Sequence, residues 1–135
     1  MWTKITKTFA ALAGAAAGLF GGWNMMLTVL VWFMGIDYLT GIICAWRGKS
    51  PKTENGGVSS RAGFDGLLKK GVIMLVVLTA TLLDRTSGTE TAVFQTAAAA
   101  YYIANEGISI LENSARLGVP YPPIIKNALE ELSPD

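Results

Sequence analysis

The hydrophobic positions of the chain fall into long apolar stretches separated by short polar segments. The first stretch covers residues 8–46 and contains a single charged residue, Asp37. That is too long for one membrane helix and about right for two, because a helix needs about 20 apolar residues to cross a bilayer. Glycine, tryptophan and asparagine at 21–24 disfavour continued helix and suit the membrane interface. The pattern predicts a hairpin of two helices at about 5–22 and 23–46.

The first predicted helix is only a marginal span. It would be about 27 Å long at 1.5 Å per residue, and its Ala-rich middle, AALAGAAAG, is weakly hydrophobic. Two other interpretations therefore stay open. One is an interfacial helix that lies on the membrane, and the other is a secretory signal with Lys4 and Lys7 as its basic region.

The rest of the chain predicts two more membrane helices. Residues 47–66 are polar and rich in glycine and serine, which is typical of an exposed loop. A short apolar run then predicts a third helix at about 67–83, and a brief linker leads to a fourth at about 91–113. The tail, 114–135, breaks at a cluster of prolines. We expect an all-α fold that forms one polytopic membrane domain over 1–135.

The tail closes with a short amphipathic segment. Ile125, Leu129 and Leu132 lie at positions i, i+4 and i+7, which places them on one helix face. This spacing predicts a surface or partner-facing helix of two to three turns.

Basic residues are strongly segregated along the chain. If four helices cross with the N-terminus inside, ten of the eleven basic residues are cytoplasmic and one, Arg85, lies outside. Cytoplasmic loops carry the excess of Lys and Arg, so we predict four spans with both ends in the cytoplasm. A three-span form, with the first helix interfacial, is the alternative. Arg47, Lys49, Lys69 and Lys70 are expected to set the topology or to contact anionic headgroups.

Asp37 is the most informative single position. It lies inside the apolar run at 23–46, where a charged group costs roughly 2.5–3.5 kcal/mol on insertion scales. A carboxylate persists there when it faces other protein or water. We therefore expect Asp37 to be a functional intramembrane residue.

One face of the fourth predicted helix is polar. At 100° per residue, five side chains fall within about 60° of one another: Gln95, Tyr102, Glu106, Ser109 and Asn113. Asn105 and Glu112 widen this polar arc. The stripe is interpreted either as an internal seam of the bundle or as a surface that lines a pore once subunits assemble.

Small residues also form a stripe on the first helix. Gly14, Gly18 and Gly22 are spaced four residues apart, a pattern that lets helix backbones approach closely in lipid. The stripe predicts helix packing, either within one subunit or in a homo-oligomer.

Composition narrows the function classes further. The chain is 51% hydrophobic and 16% charged, with a mean hydropathy of +0.40, which favours a membrane domain over a small soluble one. A net charge of +1 gives no reason to expect a nucleic-acid partner. The sequence has no His and one Cys, so it lacks the usual ligands of a zinc site, the base of a Ser-His nucleophile and the second cysteine of a disulfide. We expect no catalytic residue, no metal site and no cofactor, and therefore not an enzyme.

Several short motifs occur in a fixed order between about residues 21 and 132. They are DYLTG from Asp37, Ser59-Ser60 with Gly63, Gly66 with Lys69-Lys70, Asp84, YIANE from Tyr102, SILEN from Ser109, and Gly118-Val119-Pro120. In this order they resemble the phage lysis and toxin-secretion holins.

The resemblance implies a small bacteriophage protein of the host bacterial cytoplasmic membrane. Such a protein oligomerises with itself at a set time and opens lesions through which an endolysin reaches the cell wall, without necessary contact between the two. Under this hypothesis Asp37, Glu106, Asn105 and Gln95 satisfy one another within a subunit or dimer before assembly. Asp37 and Glu106 would be the gating pair, and assembly would turn the polar face toward water.

Two rival functions remain open. Intramembrane carboxyl groups also suit an ion- or proton-coupled transporter or channel subunit, which would not release a folded enzyme. An antiholin-like membrane scaffold would have no pore, and its expression alone would leave growth normal.

Overall fold

The computed structural model describes residues 1–88 and 91–133, and these form helices joined by turns. The helices are α1 (Trp2–Leu19), α2 (Met25–Trp46), α3 (Ser60–Thr86), α4 (Val93–Arg116) and α5 (Pro123–Leu132). No strand occurs within the described ranges, and the predicted all-α class is confirmed. Residues 89–90 of the predicted linker and 134–135 of the predicted tail lie outside the described residues.

The break between α1 and α2 follows from its residues. Gly21 and Gly22 adopt φ angles of +75° and +97°, which L side chains rarely occupy. Asn24 then caps α2, because its side-chain oxygen accepts a hydrogen bond from the Leu27 backbone N–H at 3.0 Å. The helix therefore ends at Leu19 instead of residue 22, and Gly22 lies beyond the helical stripe predicted for it.

α3 begins at Ser60 instead of residue 67, so the end of the predicted loop is helical. Ser59 caps this helix, with its Oγ accepting a hydrogen bond from the Ala62 N–H at 3.3 Å. The chain from 60 to 70 contains no proline, and its polar residues continue the helix that the apolar run requires. The helix is thus longer than hydropathy alone indicates.

The core lies between α2, α3 and α4. It consists of five buried apolar side chains: Leu27, Leu30, Met34, Val77 and Ile103. α4 is the central helix and packs against α2, α3 and α5, whereas α2 and α3 make little direct contact. The arrangement of polar side chains on α4 therefore decides how the bundle is held together.

α1 is nearly independent of this bundle. None of its residues is buried, and Gly14 and Gly18 have no other side chain or neighbouring helix within 4 Å of a Cβ position. A hydrogen bond from Arg85 Nη2 to the Gly18 carbonyl, at 2.7 Å, ties its C-terminal end to α3. Among the described residues, therefore, none packs beside Gly14 or Gly18.

Two of the described helices, α2 and α3, are long and apolar enough to span a membrane, with mean hydropathies of 1.8 and 1.9 over an 18-residue stretch of each. Their outward faces carry large exposed apolar side chains, namely Trp32, Leu39, Val72 and Leu75. Such a surface suits lipid. The four-span count and the cytoplasmic placement of both ends stay predictions.

α4 and α5 form a hairpin. Gly118 adopts φ +81° in the turn, and Ser114 Oγ donates a hydrogen bond to the Val119 carbonyl at 2.7 Å. Pro122 and Pro123 then start α5, where a missing N–H costs nothing. The predicted amphipathic segment is thus a helix that folds back onto α4.

Candidate functional site

Three charged side chains meet inside the bundle, one from each of α2, α3 and α4. Lys70 Nζ lies 2.8 Å from Asp37 Oδ2 and 2.8 Å from Glu106 Oε2. Both carboxylates thus accept a hydrogen bond from the same ammonium group. We call Asp37, Lys70 and Glu106 the charge cluster.

The charge cluster is well shielded from solvent. Asp37 and Glu106 are 5% and 7% exposed, and the Lys70 side chain is 15% exposed. Charges at such depth are stable only when they are paired and hydrogen-bonded. With all three groups ionised the cluster carries a surplus negative charge, because two carboxylates share one ammonium.

Asn113 completes the surroundings of Asp37. Its Nδ2 donates to Asp37 Oδ1 at 3.2 Å and to Thr40 Oγ1 at 2.9 Å. Its Oδ1 accepts from Arg116 Nη1 at 3.0 Å. Both oxygens of Asp37 are therefore hydrogen-bonded, and α2 and α4 are joined by polar contacts at this level.

Lys70 lies in a different place from the one expected for a topology or headgroup residue. Its neighbour Lys69 is exposed, whereas Lys70 turns into the bundle. A signal for this was present in the sequence. Lys70 is in helical register with Val77, Thr81 and Asp84, seven, eleven and fourteen residues later, and all three are buried. A prediction based on hydropathy alone does not detect this register, because it considers only the apolar run and not the polar residues that share its helix face.

A second polar cluster lies at the opposite end of the bundle. Gln95 Nε2 donates to Thr81 Oγ1 at 2.7 Å and to the Phe20 carbonyl at 2.9 Å. Its Oε1 accepts from Asn24 Nδ2 at 2.8 Å. Gln95 therefore pairs with residues near the α1–α2 break and on α3, instead of with Asp37 or Glu106.

Asp84 links the same end of the bundle to the start of α4. Its two carboxylate oxygens accept the backbone N–H groups of Phe94 and Gln95, at 2.8 and 2.9 Å. Free N–H groups at a helix N-terminus favour a negative partner. Asp84 thereby caps α4 from another helix.

The predicted polar stripe of α4 faces the inside of the subunit. Gln95, Glu106 and Asn113 are buried, and Tyr102 and Ser109 are half-buried. The structure brings Glu106 and Asn113 to Asp37 and places Gln95 in the other cluster. Asn105 is exposed and belongs to neither cluster.

The chemistry available to the charge cluster is electrostatic. Within the described residues no group of three or more His, Cys, Asp or Glu side chains is placed to hold a metal ion. Lys70 occupies the space between the two carboxylates and joins three helices through charged contacts. Separation of those helices would leave buried charges without partners unless water hydrated them. The cluster therefore couples the packing of the three helices to the entry of water between them.

Comparisons with known proteins agree with the motif resemblance. The sequence profile of the bacteriophage holin family matches residues 14–134. A probable holin of Bacillus phage phi105 is 36% identical over 100% of this chain and 90% of its own. An uncharacterised 14.9 kDa protein of Clostridium perfringens is 44% identical over 85% of this chain and 82% of its own.

No solved structure matches the chain. The family match and the two membrane-length helices identify a membrane protein. The matched range contains Asp37, Lys70 and Glu106, so the charge cluster lies within the part of the chain that defines the relationship. The chain belongs to the bacteriophage holin family.

Proposed function

We propose that the protein is a holin of the host cytoplasmic membrane, which oligomerises at a set time and opens lesions that release an endolysin. Family membership and the probable holin of phage phi105 support this function. The observation that carries it is the charge cluster. A membrane bundle that keeps Asp37, Lys70 and Glu106 paired inside one subunit does not harm the host membrane while the subunits are dispersed. The same polar groups are available for hydration once the subunits assemble.

The proposed topology has four spans with both ends in the cytoplasm. The segregation of basic residues supports it, since cytoplasmic segments carry more Lys and Arg and this topology leaves Arg85 as the one basic residue on the outer side. In this orientation the cluster around Gln95 faces the outer side, and the α2–α3 loop is cytoplasmic. Arg47, Lys49 and Lys69, all exposed, are proposed to contact headgroups.

The proposed gate is the pair of carboxylates, held closed by Lys70. Before assembly the ammonium compensates Asp37 and Glu106, and the surplus negative charge is tolerated at the cost of desolvation. Wetting of the cluster during assembly removes that cost. A fall in membrane potential biases the step, because one charge crossing the field is worth about 2.3 kcal/mol per 100 mV.

α1 is proposed to supply a contact between copies. Its helical glycines, Gly14 and Gly18, have open space beside them in the part of the chain that the structure describes. Small residues at this spacing allow close backbone approach between helices in lipid. A second copy is therefore the proposed occupant of this stripe.

Co-expression with a cytoplasmic muralytic enzyme tests the proposed function. We expect turbidity to fall abruptly after a delay, because the enzyme leaves the cytoplasm only through a lesion. The chain without the enzyme, and the enzyme without the chain, serve as controls. Gradual or absent release of the folded enzyme, at normal membrane levels of the chain, would contradict the proposal.

The charge cluster also favours a second candidate, an ion- or proton-coupled transporter or channel subunit. Buried ionisable residues in membrane helices commonly lie on ion pathways. Such a protein would dissipate an ion gradient in vesicles and retain an entrapped enzyme. Loss of the gradient without release of the enzyme would favour this candidate over the holin.

A further inference from the structure

α5 is docked into the bundle by one side chain. Leu129 is buried against Gly107 of α4, where a Cβ would lie 2.7 Å from Leu129 Cδ2 and 3.1 Å from Phe33 Cε2. The missing side chain of Gly107 thus provides the space that Leu129 fills between α4 and α2. α5 is held at a defined position instead of trailing from the end of α4.

That position is deep along the membrane-length helix α2. Phe33 precedes the end of α2 at Trp46 by thirteen residues, about 20 Å of helix. Gly107 precedes the end of α4 at Arg116 by nine residues, about 14 Å. α5 therefore runs back beside the interior of a spanning helix and does not lie beyond its cytoplasmic end.

The outward surface of the α4–α5 hairpin carries charged side chains beside exposed apolar ones such as Ile124 and Ile125. Lys126 and Glu130 of α5 lie 3.9 Å apart and are about half exposed. Glu112 and Arg116 of α4 form a similar pair at 3.9 Å, and the exposed Asn105 lies on the Glu112 face, seven residues earlier. We call these five residues the polar wall. Asn105 and Glu130 adjoin Gly107 and Leu129 and are the deepest of the five, whereas Arg116 ends α4. Exposed polar groups at the depth of Asn105 and Glu130 cannot be solvated by hydrocarbon.

The helices of the subunit therefore differ in the polarity of their exposed side chains. The outward faces of α2 and α3 are apolar, with Trp32, Leu39, Val72 and Leu75 exposed. The polar wall belongs to the other two helices of the bundle, α4 and α5. A single copy surrounded by lipid leaves the polar wall unsolvated, whereas a ring or cluster of copies can turn every polar wall toward one aqueous space.

We propose that the polar wall lines the water of the assembled lesion, while α2 and α3 face lipid. This inference rests on the proposed function and names the surface that performs it. Glu106 and Asn113 of the predicted stripe are buried before assembly and are not among the residues of the polar wall. α5 remains docked on α4 in the assembled state and forms part of the lesion lining.

Spin labels in vesicles test the assignment. The single cysteine is first removed by Cys44→Ala, and labels are attached through Asn105→Cys and Lys126→Cys on the polar wall. Trp32→Cys and Leu75→Cys provide matched sites on the apolar faces. The vesicles contain a folded protein cargo, so that lesion formation is measured in the same sample. A water-soluble nickel chelate and dissolved oxygen then report access from water and from lipid.

After cargo release we expect the ratio of nickel-chelate access to oxygen access to be several-fold higher on the polar wall than on the apolar faces. Oxygen-dominated access at residues 105 and 126 would place them in lipid, and access by neither reagent would place them between subunits. Either result, with cargo released, overturns the inference and leaves the proposed function standing. Absence of cargo release from every chain, including the unlabelled one, would contradict the proposed function and the polar wall together.

A disulfide tests whether α5 stays docked. Gly107→Cys with Leu129→Cys, in the Cys44→Ala background, would cross-link α5 to α4 at their point of contact. We expect the oxidised chain to release cargo as the reduced chain does. Release that is lost on oxidation and restored by a reductant would show that α5 must leave, which overturns its place in the lesion lining.

Discussion

The ammonium group of Lys70 lies 2.8 Å from the carboxylate of Asp37, on a neighbouring helix that otherwise makes little direct contact with α3. Glu106 of α4 contacts the same ammonium from a third helix. The position of α3 against the other two helices therefore depends on a charged contact as well as on apolar packing. Disturbing this contact should affect both the stability of the subunit and the timing of its assembly.

Replacing the cation tests the charge cluster directly. Lys70→Met should destabilise the bundle by about 3–5 kcal/mol, because two buried carboxylates lose their partner. Thermal unfolding in detergent measures the effect. The triple change Lys70→Met, Asp37→Asn and Glu106→Gln should recover most of the loss, and Lys69→Met, at an exposed neighbour, should have little effect. Equal stability of the Lys70→Met and Lys69→Met chains would contradict a structural role for the cluster.

Neutralising one carboxylate at a time tests the proposed gate. Asp37→Asn or Glu106→Gln leaves one carboxylate opposite Lys70 and removes the surplus negative charge. The closed subunit then no longer bears the desolvation cost of that charge and should be more stable. We expect later lysis in both variants at matched membrane levels, measured as the time of turbidity loss. Glu112→Gln, at an exposed carboxylate, serves as the control. Unchanged timing in both variants would eliminate the gating hypothesis.

Filling the space at Gly107 tests the docking of α5. In Gly107→Ala the added methyl group meets Leu129 and Phe33 at short distance. Overpacking costs about 1–3 kcal/mol, which exceeds or offsets the roughly 1 kcal/mol that alanine adds to helix propensity. We expect faster amide exchange in α5. Gly71→Ala, where a Cβ has open space, should leave α5 protected, and a protected α5 in both variants would show that Leu129 adapts without undocking.

Removing the cap on α4 tests the opposite end of the bundle. Asp84→Ala deprives the backbone N–H groups of Phe94 and Gln95 of their acceptor. Loss of a capping side chain typically costs about 0.5–2 kcal/mol. Amide exchange should rise in the first turn of α4 and stay unchanged near Asn113. Thr86→Ala, which removes an exposed hydroxyl bonded within its own helix, provides the comparison. An equal response to both changes would contradict the capping role.

Much of the fold follows from local patterns. The apolar stretches, the glycines at 21–22 and the capping side chains of Asn24 and Ser59 determine where helices form, because these effects act over a few residues. The apolar run indicates α3 only from about residue 67, because hydropathy does not detect the polar residues that extend the helix back to Ser60. Intramembrane carboxylates stand out for the same local reason, since a charge inside an apolar run has few stable environments.

The sequence by itself determined the all-helical class and the family, and it singled out Asp37 and Glu106 as candidate residues. The tertiary structure alone decided that Lys70 pairs with both carboxylates, and that the polar stripe of α4 faces inward. It also decided that α5 folds back onto Gly107. These contacts join residues that are more than twenty positions apart in the chain. They depend on the rotation and depth of whole helices, which packing of the complete bundle sets and local periodicity does not.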